Sequence, residues 1–259
     1  HRRYLDKNLG CKKAVSSAIS WFFDNEDRGI ILEYDCLPHA SFFSFCEDML
    51  EKYNDNESVM HISGSNFQDG LLRGEDDSSY YFSAITGVWG WATWKRSWAC
   101  YDPNANDIED FIDSGRIHKL LTARRTRKHW SKRFLNVKSG VNTSSWAIPW
   151  AYSVMKYGGL CINPNKNPVS NIGFNADATH AFDESSEFSC VPVVNIGKIT
   201  HPKHIFIDFE ADNYATRKSY AVEDSLSVVI KLNIKRYFFP FLPKVVKNTL
   251  LKFNQIFLK

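Results

Sequence analysis

The sequence has few cysteines and pairs none of them. Its six Cys (Cys11, Cys36, Cys46, Cys100, Cys161 and Cys190) are scattered over 259 residues, with no C-x-x-C pair and no metal-ligand spacing. That pattern argues against a disulfide scaffold or a zinc ribbon, and it reads as free thiols in a reducing compartment. No apolar run approaches the ~18 residues of a membrane span, and no signal-peptide pattern is read. Internal repeats are absent. Acidic residues are missing from one region alone: residues 225–259 carry seven Lys and Arg and no Asp or Glu.

What is present is ordinary for a globular protein, with 44% hydrophobic and 24% charged residues. Such a length can bury one large core or two modest ones. Aromatics are plentiful at 15%, with eight Trp, which implies flat stacking surfaces as well as core. The net charge of +3 conceals an asymmetry, because the first 224 residues carry 25 basic and 29 acidic side chains. A domain boundary is therefore expected near Asp224, dividing a body of residues 1–224 from a basic tail at 225–259. In that tail Val245, Val246, Leu250, Phe253 and Phe257 share a helical face opposite most of the lysines. It reads as a helix lying on an anionic membrane, or as a terminal helix docked on the body by the same face. Two N-x-S/T sequons, at Asn56 and Asn142, are compatible with chance.

Along the chain, residues 12–23 show apolar positions at helical spacing. Ile30, Ile31 and Leu32 read as a short strand covered on both sides, the most buried of the chain. A helix follows Pro38, with Phe42, Phe45, Cys46, Met49 and Leu50 on one face. Residues 59–62 read as the next strand. This alternation predicts an α/β sheet with crossover connections. Residues 67–79 form a polar, Gly-containing loop. Trp91, Trp94 and Trp98 then recur at i, i+3 and i+7. Residues 107–137 look helical and turn very basic from Arg116 to Arg133. Residues 146–157 look helical too, stressed by Pro149, and short strands alternate with turns from Gly158 onward.

The chemistry concentrates at "ILEYDCLP", where Glu33 and Asp35 close the first strand. Ligands of open α/β sheets bind beyond the carboxyl ends of strands, and two carboxylates there suit a hard divalent cation. An E-x-D pattern by itself has almost no specificity. Its context has more. "NLGCKKAVSSAISWFFDNEDRGIILEYDCLPHASFFSFCEDMLEKY", then "VMHISGSNF", "YYFSAITGVWGWATWKRSW" and "LCINPNKNPVSNIGFNADATH", resemble in order the nucleotide-sugar glycosyltransferases of the GT-A fold. The similarity is to bacterial surface-polysaccharide and lipopolysaccharide types, and to the N-acetylglucosaminyltransferase that begins complex N-glycans. It covers roughly residues 6–201.

The resemblance implies a GT-A type mixed sheet flanked by helices, here without its first nucleotide-binding strand. It implies transfer of a sugar from a nucleotide-diphospho-sugar to a glycan or lipid-linked acceptor. Asp35, with Glu33, would hold manganese (or magnesium) on the diphosphate, where a Lewis acid stabilises the leaving group. Tyr34 stands where relatives carry a middle Asp. Asn8, Gly10, Glu33, Tyr34, Asp35, Thr179 and His180 would line the donor, and Trp89, Trp91 and Trp146 the acceptor side. Trp94 and Trp98 read as core, and the sugar-facing role falls to Trp89 or Trp91. The sequence departs from the pattern before Trp146, where Asn142, Thr143, Ser144 and Ser145 offer no carboxylate to deprotonate an acceptor. The loop acids Asp69, Glu75, Asp76 and Asp77 are the candidate replacements, and a catalytically inactive sugar- or nucleotide-binding protein is the alternative. The basic run at 116–133 reads as a solvated face or an anionic-acceptor patch; no nucleic-acid partner is expected. The expected location is the cytoplasm, at the inner face of the cytoplasmic membrane.

Overall fold

The computed structural model describes residues 1–75, 77–141, 144–174 and 188–220, all within one compact unit, His1–Tyr220. The tail at 225–259 and the amphipathic helix expected there lie outside the described residues. The elements follow in the order α1 (Gly10–Phe23), β1 (Arg28–Ile31), β2 (Cys36–Pro38), α2 (Ala40–Lys52), β3 (Val59–Ser63), β4 (Tyr80–Ser83), β5 (Trp91–Trp94) and α3 (Lys95–Trp98). Then come α4 (Ile108–Asp113), α5 (Arg116–Leu120), α6 (Arg124–Lys138), α7 (Ala147–Lys156), β6 (Leu160–Pro164), β7 (Val169–Asn171) and α8 (Phe209–Tyr220).

The fold is mixed α/β. A five-stranded sheet runs β1-β5-β3-β6-β4, beside a two-stranded ribbon of β2 and β7. β3 and β6 are parallel, whereas β5 pairs antiparallel with both β1 and β3, and β4 antiparallel with β6. β1, β3 and β6 therefore point the same way and end on one edge of the sheet. The expectation that β1 is the most buried strand is overturned. β1 pairs only with β5 and its residues are exposed or half-buried, while all five residues of β3 are buried between two neighbours.

One face of the sheet packs on α2, whose Phe42, Phe45, Cys46, Met49 and Leu50 are buried on the face expected from their spacing. His39 begins that helix, its ring nitrogen accepting from the Ser41 N–H at 3.1 Å. The opposite face packs on α1 and α7 through Ile19, Phe23, Trp150 and Val154. The tryptophan repeat is not a helical stripe. Trp91 and Trp94 lie on one strand, where a three-residue step sends side chains to opposite faces. Trp94 accordingly joins the α2 side and Trp91 the α1–α7 side. The long helical stretch expected over 107–137 is broken into α4, α5 and α6. Gly115 breaks it first at φ +70° and Leu121 again in extended backbone. Pro149 causes no stress: it is the third residue of α7, where the N–H it lacks has no intrahelical partner anyway.

Candidate functional site

At the end of β1 the chain turns sharply. The Cys36 N–H donates to the Glu33 carbonyl at 3.0 Å, closing a β-turn with Tyr34 and Asp35 at its corner. Tyr34 is 88% exposed. β2 then pairs with β7, and the Ile172 N–H donates to the Asp35 carbonyl at 2.9 Å. The Asp35 carboxylate lies 3.4 Å from the Asn171 amide nitrogen. Gly173 passes so close that a Cβ there would sit 2.5 Å from the same carboxylate. A bare backbone is what allows the 171–173 segment and Asp35 to share this space.

Glu33 is half-buried on the inner side of the turn. Burial raises its carboxyl above the usual range, the neighbouring Asp35 charge raises it further, and the hydrogen bond from the Trp146 indole opposes both. Cys11, at the start of α1, is pushed up by burial and then by the fields of Glu33 and Asp35. Burial pushes the Cys36 thiol up to about 11. The turn is thus a partly desolvated concentration of negative charge. Among the described residues no Lys, Arg or His forms an ion pair with either carboxylate.

Two half-buried carboxylates without a cationic partner suit a hard divalent cation, which takes one or two carboxylates and completes its shell with water and phosphate oxygens. Among the described residues no third His, Cys, Asp or Glu joins them as a ligand set. Glu33 and Asp35 are therefore the residues that would hold a metal, with a diphosphate supplying further oxygens.

The other expected site residues divide. The Asn8 side-chain oxygen accepts from the Gly10 N–H at 2.8 Å in the exposed lead-in to α1, next to Cys11 and so on the side of the acidic turn. Trp89 is half-buried and meets Phe67 and Phe174 edge-on at 5.1 and 5.6 Å. Trp91 is fully buried and Trp146 is 2% exposed, stacked on each other at 5.5 Å. Neither ring has a face for an acceptor sugar, and the acceptor role expected of them is corrected on that ground. What Trp146 offers the site is its indole N–H on Glu33. Thr179 and His180 lie outside the described residues, as do Asn142 and Thr143.

The loop at 67–79, the expected source of a base, is fastened down. Gln68 is fully buried and donates to the Ala211 carbonyl at 3.1 Å. The Gly74 N–H donates to the Asp208 carboxylate at 2.9 Å. Asp69 accepts from the Tyr214 hydroxyl at 2.5 Å and pairs with Lys218. Glu75 pairs with His204 at 2.5 Å and accepts from the Lys203 N–H. Asp77 is exposed, and Asp76 lies outside the described residues. The loop begins after β3 and leads into β4. Asp69 and Glu75 are thus engaged by α8 and by the 203–204 segment.

The sequence does not mark Asn171, Gly173 or Cys11 as site residues. Only the "NPVSNIGF" segment carried a signal for the first two, as a run of turn-forming residues. No protein-family model matches the chain, and no curated protein matches it.

Proposed function

We propose that the chain binds a nucleoside-diphosphate sugar through a divalent cation at the acidic turn and transfers the sugar to a glycan or lipid-linked acceptor, as a glycosyltransferase of GT-A type. The observation that carries this reading is the pair Glu33 and Asp35, half-buried at a strand's carboxyl end without a cationic partner among the described residues. The mixed sheet, with β1, β3 and β6 ending on that edge, supports it. When bound, manganese or magnesium supplies Lewis-acid neutralisation of the leaving diphosphate. Asp35, fixed through its carbonyl by Ile172, presents its carboxylate to the cation. Glu33, aimed by the Trp146 indole, holds a second oxygen toward the cation or a donor hydroxyl. Exposed Tyr34 can lie along the nucleotide, and Trp89 offers an aromatic face at the rim.

A second reading, a sugar-nucleotide-binding protein without transfer activity, is favoured by one observation. Both described loop acids with partners, Asp69 and Glu75, are engaged elsewhere, and Ser145 stands where relatives would place a base. Calorimetric titration of the full chain with manganese and UDP is the test. Asp35→Asn should lose at least about tenfold in manganese-dependent binding, the scale of one charged contact. Equal binding by the folded variant rejects the site. Binding without turnover of any UDP-sugar selects the second reading.

A further inference from the structure

Charge in α6 is arranged against the helix that carries it. From residue 114 to residue 176 the sequence has eleven Lys and Arg, nine of them at or before Lys138, and no Asp or Glu. α6 therefore has no acid in its first turn. Arg124 and Arg125 open it instead, where the positive end of the macrodipole disfavours cations. Arg124, Lys128 and Lys132 follow at i, i+4 and i+8, a spacing at which like charges repel. All three are exposed, and among the described residues none of the three forms an ion pair. The field reaches into the helix: burial first, and then Arg133 and Lys132, push the His129 imidazole down to about 4.

The helix is not free to turn and relieve this. Thr126, Trp130, Phe134 and Val137 form its buried face. The last three pack in a cluster with Phe111, Tyr152 and Met155, and the Thr126 hydroxyl donates to the Asn213 side-chain oxygen at 2.8 Å. The opposite face is thereby fixed outward. Helical spacing adds Leu135 to the basic stripe, and that leucine is 39% exposed. Val141, exposed as well, follows three residues after the helix. From Arg124 to Leu135 the stripe runs roughly 17 Å at the helical rise.

We propose that this face of α6 is a docking surface for an anionic phospholipid bilayer, with Arg124, Lys128 and Lys132 on headgroup phosphates and Leu135 entering the boundary beneath them. A negative surface offsets the repulsion along the stripe and the cations at the helix N-terminus together. Each basic residue adds an attraction that salt screens. A merely solvated face would gain from mixed signs, which this one lacks. A nucleic acid offers the same phosphates, but base stacking needs exposed rings, and the Trp130 and Phe134 rings of α6 are buried. An exposed leucine among lysines suits an acyl boundary. The inference does not depend on the cation at the acidic turn.

Sedimentation of the full chain with vesicles tests it, using phosphatidylcholine alone and phosphatidylcholine mixed equally with phosphatidylglycerol. The chain should bind the mixed vesicles and release as salt is added. Arg124→Gln, Lys128→Gln and Lys132→Gln together should weaken binding about a hundredfold, three steps of about fivefold each. Leu135→Ser should weaken it several-fold. Lys13→Gln, Lys95→Gln and Lys198→Gln, which remove as many exposed cations from other parts of the chain, should leave most of the binding. Lys128→Gln alone, with an expected loss of about fivefold, serves where the triple variant does not fold. Unchanged binding by the folded α6 variant overturns the proposal, as does an equal loss in the control triple. Retention of a short RNA through the same three residues, without binding to vesicles, overturns it in favour of a nucleic-acid partner.

Discussion

Gly173 shows how one atom's absence sets a site. Its place beside the Asp35 carboxylate leaves no room for a Cβ, which would meet an oxygen at 2.5 Å and the Asp35 Cβ at 2.8 Å. Gly173→Ala must therefore displace Asp35 or the 171–173 segment, at an overpacking cost of about 1–3 kcal/mol. We expect the variant to fold and to lose manganese binding in the same titration as Asp35→Asn. Full affinity would mean that Asp35 does not need its present position. Trp91 is the complementary case, a residue whose sequence context suggested a sugar face and whose place is in the core. Trp91→Ala should cost about 3–5 kcal/mol in chemical denaturation, the range for a buried aromatic. A loss below 1 kcal/mol would return the ring to a surface role.

Among the elements, α8 is attached to the sheet by a buried acid, Asp212, which accepts from the Ser83 hydroxyl and the Ala84 N–H. Burial, aided by Asp208, pushes the Asp212 carboxyl up to about 7, against the donors Ser83 and Ala84 that favour its charged form. Tyr81 and Cys161 face the same group from β4 and β6, and both are pushed up in part by its charge. Arg73 stands beyond Gln68. A carboxyl whose folded value lies above its ordinary 3.8 stabilises the fold most below that value and loses the contribution as pH rises through about 7. His61 acts in the opposite sense. Buried between the Gly87 carbonyl and the Trp150 indole, it is pushed down to about 4, and its contribution is lost as pH falls below 6.5. Thermal unfolding followed by circular dichroism should show the melting temperature falling between pH 6 and 8. Asp212→Asn should flatten that fall; an equal slope in the variant would assign it to another group. Much at this scale was legible beforehand. The faces of α1 and α2, the strand at β3 and the acidic turn all follow from local spacing and turn residues. The insertion of β5 between β1 and β3 was not, because pairing between strands 60 residues apart leaves no local period. Nor was the fastening of the 67–79 loop, whose polar, Gly-containing sequence reads as mobile and whose anchors on α8 and at Asp208 lie more than 130 residues away.

For the whole molecule the governing feature is how charge is divided along the chain. The first 224 residues hold 25 basic and 29 acidic side chains, and residues 225–259 hold seven basic and none acidic. No helix among the described residues is long and apolar enough to cross a membrane. A basic residue near an anionic leaflet contributes about 1 kcal/mol, and salt screens it within a Debye length of about 10 Å at 0.1 M. Apolar Val245, Val246, Leu250, Phe253 and Phe257 would add burial to that attraction. A second basic surface exists on the body: Arg124, Lys128 and Lys132 are exposed at successive turns of α6. The two make different predictions. If the tail carries membrane binding, the chain should sediment with anionic liposomes, release with added salt, and fail to bind once residues 240–259 are deleted. If the deletion leaves binding intact and neutralising Arg124, Lys128 and Lys132 removes it, α6 is the contact surface and the tail is not. Equal binding to neutral and anionic vesicles would exclude both, because neither set of cations can discriminate a surface that carries no charge.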